Sequence, residues 1–277
     1  MGLAFVKGHG TENDFVLLPD TSGTLELTEP RVRALCDRRR GLGADGVLRV
    51  VPAALAAPDQ AVAAEWFMDY RNADGSIAEM CGNGVRVFAR YLVEAGLAKP
   101  GEFAVGTRAG VRGVTTHDNG EVTVDMGPAR VTGRSVATVA AVEFPGIVVN
   151  VGNPHLACTL DPAVDLATLD LSRQPGYRPE VFPDGVNVEF VTPLAPDRVR
   201  MRVHERGVGE TRSCGTGTVA VVAAALHQAG ESTGRVEVLV PGGRVVVAIE
   251  TTTSTLTGPA VLVARGELDA DWWATIR

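Results

Sequence analysis

Two segments of this 277-residue chain begin alike and end alike, and that match constrains the fold more than any other feature. The first, CGNGVRVFARYLVEAG, runs from Cys81 to Gly96; the second, CGTGTVAVVAAALHQAG, runs from Cys214 to Gly230. Each opens on Cys-Gly-x-Gly and closes on Ala-Gly, where glycine suits the left-handed position just past a helix end. Apolar residues of the first fall at Val85, Phe88, Leu92 and Val93, near helical spacing, while the second is apolar nearly all round. The pattern predicts two helices of about four turns, the second buried on most sides.

Cys214 stands 133 positions after Cys81, close to half the chain, and Asn153 in VGNPHL stands 140 after Asn13 in GTENDF. The chain therefore reads as two homologous halves. Strand-like runs fill the remainder: VTVDM, GIVVNVG, VNVEFVT, RVRMRVHE, RVEVLV, RVVVAIE and AVLVARGEL, each bounded by Gly, Pro, Asp or Asn. The fold class this predicts is α/β in the α+β sense, with each half mostly sheet around one central buried helix. The expected domains are residues 1–127 and 128–262, with 263–277 packing back on the first.

The bulk numbers fit a globular protein and disfavour several partners. With 45% apolar residues there is ample core for two domains. A net charge of −7 disfavours phosphate backbones, and 5% aromatic content argues against base-stacking surfaces, so no nucleic-acid partner is expected. No apolar run approaches the ~20 residues of a membrane span, and the segment after Met1 does not read as a signal peptide. The expectation is a cytoplasmic protein without a membrane partner. The trio Arg38-Arg39-Arg40 reads as a solvated helix end. The four cysteines, Cys36, Cys81, Cys158 and Cys214, are far apart and form no CxxC pair, so neither a zinc site nor a disulfide framework is expected. Cys36 and Cys158 read as small buried hydrophobes. GLGADG, from Gly41 to Gly46, matches G-x-G-x-x-G. It follows a helix-like run and precedes a strand-like one, the reverse of a dinucleotide site, and reads as a turn.

A helix N-terminus exposes unpaired N–H groups and the positive end of the helix dipole. A thiol placed there is expected to ionise more readily than the ordinary thiol, and adjacent glycines let backbone N–H groups approach an anion closely. Two such thiols on opposite faces of one carbon can remove and return a proton and so invert a stereocentre, their titrations being those of a pair. Pyridoxal phosphate would need a Schiff-base lysine. The only lysines, Lys7 and Lys99, lie outside any phosphate-binding context, so no cofactor is expected. Asn72, Asp74 and Glu79 escort the first motif, and Glu205, Arg206, Glu210 and Arg212 the second, more polar company than packing helices need.

The segments GTENDFVLL, RRRGLGADGVL, DYRNADGSIAEMCGNGVRVFARYL, VGNPH, GVNVEFV and HERGVGETRSCGTGT, in this order and over essentially the whole chain, resemble the diaminopimelate epimerase family. The resemblance implies an isomerase that interconverts LL- and meso-2,6-diaminopimelate on the route to lysine and peptidoglycan. It implies two similar domains, each a barrel-like, mostly antiparallel sheet around a central helix, with the active site in the cleft between them. It also implies a homodimer without metal or organic cofactor. By the same resemblance Cys81 and Cys214 are the catalytic pair, and Gly82, Asn83, Gly215 and Thr216 hold the reacting carboxylate. Asn13, Asn72, Asn153 and Asn187 match substrate contacts, Glu205 and Arg206 match recognition of the distal amino-acid end, and His155 with Glu205 match positions that tune the thiols. A second ammonium suits a carboxylate and a second carboxylate suits a guanidinium. Gly46 departs from the pattern, standing where many members carry glutamine.

Rival readings keep the same superfamily. Proline-type racemases use Cys-Gly-His-Gly where this chain has CGNG. A cofactor-free racemase of another two-ended amino acid such as histidine stays open. A phenazine-pathway isomerase of similar fold lacks the two cysteines, and a binding protein that had lost its chemistry would not need them.

Overall fold

The computed structural model describes residues 2–276. In chain order the strands are β1 (Leu3–Gly10), β2 (Asn13–Pro19), β3 (Gly46–Pro52), β4 (Trp66–Asn72), β5 (Glu102–Thr107), β6 (Gly110–Thr116), β7 (Glu121–Asp125), β8 (Arg130–Val139) and β9 (Val142–Asn150). They continue as β10 (Pro154–Thr159), β11 (Asn187–Val191), β12 (Arg198–Glu205), β13 (Gly209–Thr211), β14 (Gly234–Val240), β15 (Gly243–Ile249), β16 (Ser254–Pro259) and β17 (Val261–Leu268). The helices are α1 (Glu29–Cys36), α2 (Ala53–Ala56), α3 (Gly82–Glu94), α4 (Gly215–Gln228) and α5 (Ala270–Thr275).

Two compact units result. One takes the chain to Val124 and again from Pro259; the other is Asp125–Gly258. The divisions fall a few residues before the expected 127/128 and 262/263. The return to the first unit follows from strand pairing, because Val261 at the head of β17 already lies opposite His9 of β1.

The duplication is visible strand by strand. In the first unit the order is β17-β1-β2-β3-β4-β5-β6-β7. In the second it is β8-β9-β10-β11-β12-β14-β15-β16. Both read antiparallel, antiparallel, parallel, antiparallel, parallel, antiparallel, antiparallel. The last strand of the chain thus fills in the first unit the place that β8 fills in the second, and without it β1 would present an unpaired edge. Each parallel pair requires a crossover. α3 spans the crossover from β4 to β5 and α4 that from β12 to β14, and each packs on the strands of its own unit.

The two strands of the first parallel pair in each unit are buried on both faces, so they read as near-continuous apolar runs rather than alternating ones. In the first unit Val16, Leu18 and Val47 pack with Val32, Leu35 and Cys36 of α1. In the second, Leu156, Cys158, Val188 and Phe190 pack with Phe144, Leu166, Leu171 and Phe182. The alternate residues of these strands face the other way, and that parity decides which side chains lie against α3 and α4. Cys36 and Cys158 sit in these two cores, and burial pushes both thiols up to about 12.

GLGADG is the turn from α1 into β3. A Cβ at Gly41 would stand 1.9 Å from the Ala34 carbonyl oxygen, which requires glycine there. The arginine trio lies in the same turn and is more engaged than a solvated helix end: Arg38 bridges Asp14 and Asp45 (2.8 Å each), and Arg40 pairs with Asp37 (2.9 Å). A side chain at Gly46 would meet the Arg71 carbonyl oxygen and the Tyr70 ring, each 2.6 Å from its Cβ. Tyr70 fills that space here, so a glutamine does not fit without displacing it.

Candidate active site

Each repeated helix is capped by its cysteine. Cys81 is the N-cap of α3 in extended conformation, and its Sγ accepts the Gly84 N–H at 3.4 Å. Cys214 is the N-cap of α4, and its Sγ accepts the Gly217 N–H at 3.4 Å. Sulfur here takes the role that a Ser or Asp oxygen takes in an ordinary cap, and an N–H aimed at the sulfur favours its ionised form. Glycines close both helices in the left-handed conformation, Gly96 at φ +70° and Gly230 at φ +79°.

In the first unit the Cys81 thiol lies 3.6 Å from Asn13 Oδ1, which also accepts from Asn83 Nδ2 at 3.3 Å. Asn13 Nδ2 donates to Asp45 at 2.7 Å. Asn83 Oδ1 accepts from Arg86 Nη2 at 2.5 Å, and the same guanidinium reaches Thr11 Oγ1 (3.1 Å) and the Pro259 carbonyl (2.7 Å). Arg86 is fully buried. Burial lowers it to about 10, opposed by the charges of Cys81 and Glu121. Thus Cys81, Asn13 and Asn83 form one hydrogen-bonded group with a cation behind it. Asn72, at the end of β4 and opposite Gly46, has its amide on Ser76 Oγ at 2.9 Å in the next turn.

The second unit builds its site differently. Thr216 Oγ1 lies 3.6 Å from Cys214 Sγ and accepts from Asn153 Nδ2 at 3.5 Å. Asn153 Oδ1 lies 2.9 Å from His155 Nε2, and His155 Nδ1 lies 2.7 Å from Glu189 Oε1. His155 and Glu189 are both fully buried. Asn187 Oδ1 accepts the Arg206 backbone N–H at 2.9 Å, while the Arg206 guanidinium donates to the Asp184 carbonyl at 2.9 Å. Glu205 accepts from Thr211 Oγ1 at 2.5 Å.

The expected easy ionisation does not hold for Cys214. Its thiol is pushed well above the ordinary value, first by burial and then by the charges of Glu205 and Glu189, which together outweigh the bonds from Thr216 and Gly217. A helix start lowers a thiol only where desolvation and neighbouring carboxylates do not oppose it. Burial likewise raises Glu189, to about 6, against the favourable pairing with His155.

Two residues escaped the sequence reading, Arg86 and Glu189. Each left a faint signal: an arginine set between Val85 and Val87 four residues before Arg90, and a carboxylate between Val188 and Phe190 in the strand-like run VNVEFV. Among the described residues no group of three or more His, Cys, Asp or Glu is placed to hold a metal ion, and no helix is long and apolar enough to cross a membrane.

A model of the family described as Diaminopimelate epimerase matches residues 5–132 and 147–263. The diaminopimelate epimerase of Rhodococcus opacus (strain B4) is 58% identical, covering 97% of this chain and 98% of its own. That of Mycolicibacterium smegmatis is 56% identical, covering 99% of each. Among solved structures, a hydroxyproline epimerase from Agrobacterium vitis with bound trans-4-hydroxy-L-proline aligns at TM-score 0.67 and 17% identity over 97% of this chain and 93% of that one. A phenazine biosynthesis protein of the PhzF family from Bacillus anthracis aligns at 0.65 and 17%, over 97% and 99%. At that identity these two share the fold alone.

Proposed function

The chain belongs to the diaminopimelate epimerase family, and on that premise we propose that its two Cys-Gly-x-Gly helix starts interconvert LL- and meso-2,6-diaminopimelate, a step toward lysine and peptidoglycan precursors. The observation that carries the reading is that Cys81 and Cys214 each cap a matched helix with the sulfur on the helix-start N–H groups. One thiolate removes the α-proton from its face of the carbon. The other thiol donates a proton to the opposite face, so after turnover the two sulfurs have exchanged protonation states. The first-turn N–H groups of Gly82, Asn83, Gly215 and Thr216 hold the α-carboxylate and stabilise the charge that develops on it. Asn13, Asn72, Asn153 and Asn187 orient the substrate. Glu205 receives the distal ammonium and Arg206 the distal carboxylate, the guanidinium keeping N–H donors beyond the one on the Asp184 carbonyl. His155 and Glu205 set the proton affinity of Cys214.

No cofactor enters this scheme. The family resemblance also supports a cytoplasmic homodimer, which the mass in solution decides. The deciding assay is LL-diaminopimelate in deuterated buffer with reductant, followed by proton NMR and chiral analysis. Loss of the α-proton signal with appearance of the meso form is expected, and Cys81→Ala or Cys214→Ala should each abolish it. No exchange by the folded, reduced protein would remove this substrate, and turnover of histidine or proline instead would install one of the rivals.

A further inference from the structure

We infer that Glu189 is a positioning residue for the second thiol: it shares a proton with His155 Nδ1, holds the ring with Nε2 donating to Asn153, and so fixes Asn153 and Thr216 beside the Cys214 sulfur. The inference rests on the proposed role of Cys214 and deepens it.

The first unit supplies the comparison. Phe15 lies opposite Gly46 in the β2–β3 pair, and Leu48 two residues on. His155 lies opposite Asn187 in the β10–β11 pair, and Glu189 two residues on. The register makes Phe15 equivalent to His155 and Leu48 to Glu189. The surroundings of the helix glycines agree. A Cβ at Gly84 would have Leu48 at 3.4 Å and Phe15 at 3.6 Å as neighbours, whereas one at Gly217 would have Glu189 Oε1 at 2.9 Å and Cys214 Sγ at 3.4 Å. The same scaffold thus seats an apolar pair under one capped helix and an ionisable pair under the other. The fold does not need the second pair, and buried ion pairs rarely stabilise more than apolar residues of like volume. This one also leaves Glu189 Oε2 buried without a hydrogen-bond partner, a cost that packing does not explain.

Proton bookkeeping shows what the pair does. Asn153 turns its Nδ2 to Thr216 and its Oδ1 to His155 Nε2. An amide oxygen only accepts, so Nε2 must donate. Nδ1 then shares one proton with Glu189 Oε1 at 2.7 Å, whichever atom carries it. The pair is neutral as a unit and holds one proton more than an imidazole beside a carboxylate. Without the carboxyl group the buried Nδ1 loses its partner, and nothing then fixes the ring's orientation and tautomer against Asn153. The ionisable groups around Glu189 are His155 and Cys158 on β10, Glu205 on β12 and Cys214 at the head of α4. The charge of Glu189 bears on Cys214, and Glu189 Oε1 and Cys214 Sγ both border the space beside Gly217.

The experiment compares Glu189→Gln, Glu189→Leu and the double variant His155→Phe/Glu189→Leu, which gives the second unit the pair that the first already accommodates. Melting temperature, α-proton exchange of LL-diaminopimelate and the pH–rate profile of Cys214 alkylation are read for each. Glu189→Leu should lower both melting temperature and exchange. The double variant should recover the melting temperature while exchange stays about 10²-fold down, the usual cost of a misplaced reacting group. Glu189→Gln, whose amide can donate to Nδ1 and leave Nε2–H on Asn153, should fold, keep more exchange than Glu189→Leu, and move the Cys214 alkylation profile to lower pH. Recovery of exchange along with stability in the double variant would overturn the inference. So would a Glu189→Gln enzyme with exchange as low as that of Glu189→Leu and an unmoved alkylation profile. Absence of exchange in the wild-type enzyme would instead sink the proposed substrate, and the alkylation profiles would still decide for or against Glu189.

Discussion

Alanine at the third residue of each capped helix should have opposite effects at the two sites. In Gly84→Ala the new methyl meets Leu48, the Cys81 Cβ and Phe15 at 3.4–3.6 Å, ordinary contact distances. Relative to glycine, alanine favours the helix by up to about 1 kcal/mol, and burying a methyl adds roughly 0.8 kcal/mol. A net gain of about 1 kcal/mol is expected, or roughly 2–4 °C in melting temperature for a chain of this size. In Gly217→Ala the same gains apply, but the methyl stands 2.9 Å from Glu189 Oε1. That carboxylate is fully buried and cannot retreat into solvent. Overpacking costs about 1–3 kcal/mol, and stretching the bond to His155 removes part of a charge-assisted bond worth about 1.5–3 kcal/mol. The balance is a loss of about 2 kcal/mol. Because the Gly84 methyl points at the core and not at the N–H groups, Gly84→Ala should keep its exchange rate while Gly217→Ala loses it. Thermal unfolding of both variants, with exchange measured on the same samples, checks this. Shifts of equal sign and size, or an active and stable Gly217→Ala, would refute the placement of Glu189 against α4.

The cysteines should separate under an alkylating reagent at pH 8, read by peptide mass spectrometry. Cys81 is partly exposed and should label first. Cys214 should lag because burial, Glu205 and Glu189 keep it protonated, and Glu205→Gln should quicken it. Cys36 and Cys158, held up at about 12, should stay unlabelled until the chain unfolds. Asp14 offers an acid-stability test. Burial would raise its carboxyl, but bonds from Arg38 and Lys7 override that and hold it at about 2. A depressed carboxylate stabilises the fold above its unfolded value and loses that contribution as pH falls through the folded one. Wild type should therefore lose about 2 kcal/mol between pH 4 and pH 2 from this group. Asp14→Asn should be less stable at pH 7 and flatter over that window, and identical acid curves would show the bridge to be idle.

Much of this was legible because helix starts and buried strands leave local marks. Cys-Gly-x-Gly with Ala-Gly beyond gave both helices their ends, since the capping sulfur and the left-handed glycine each depend on residues close in sequence. The β11 run VNVEFV was legible as a strand. What its glutamate touches was not, since His155 is brought beside it by a parallel crossover of some thirty residues that no local pattern encodes. The placement of β17 was legible only as a suggestion: most of the strand is exposed, Val261 and Val263 included, so burial does not fix it, and what does is the edge of β1. The ionisation of Cys214 was misjudged for a physical reason. A helix dipole is a local property that sequence displays, whereas desolvation and the charges of Glu189 and Glu205 arrive from strands distant in the chain.

The inequality between the two sites bears on the reaction itself. An enzyme whose thiols exchange roles at every turnover works best when their proton affinities match in the substrate complex. Their surroundings differ: a buried guanidinium stands behind Cys81, and carboxylates crowd Cys214. If Glu205 receives the distal ammonium, as proposed, binding neutralises one of the two charges that hold Cys214 protonated. The substrate would then bring the second thiol toward the first, and a molecule without the second ammonium would bind and leave the pair unmatched. Specificity for a two-ended amino acid would in that case reside in acid–base readiness as much as in contact. Glu205→Gln separates the two, because it should ease Cys214 ionisation while removing the ammonium's partner, so a variant that alkylates faster yet turns over more slowly is what this coupling requires.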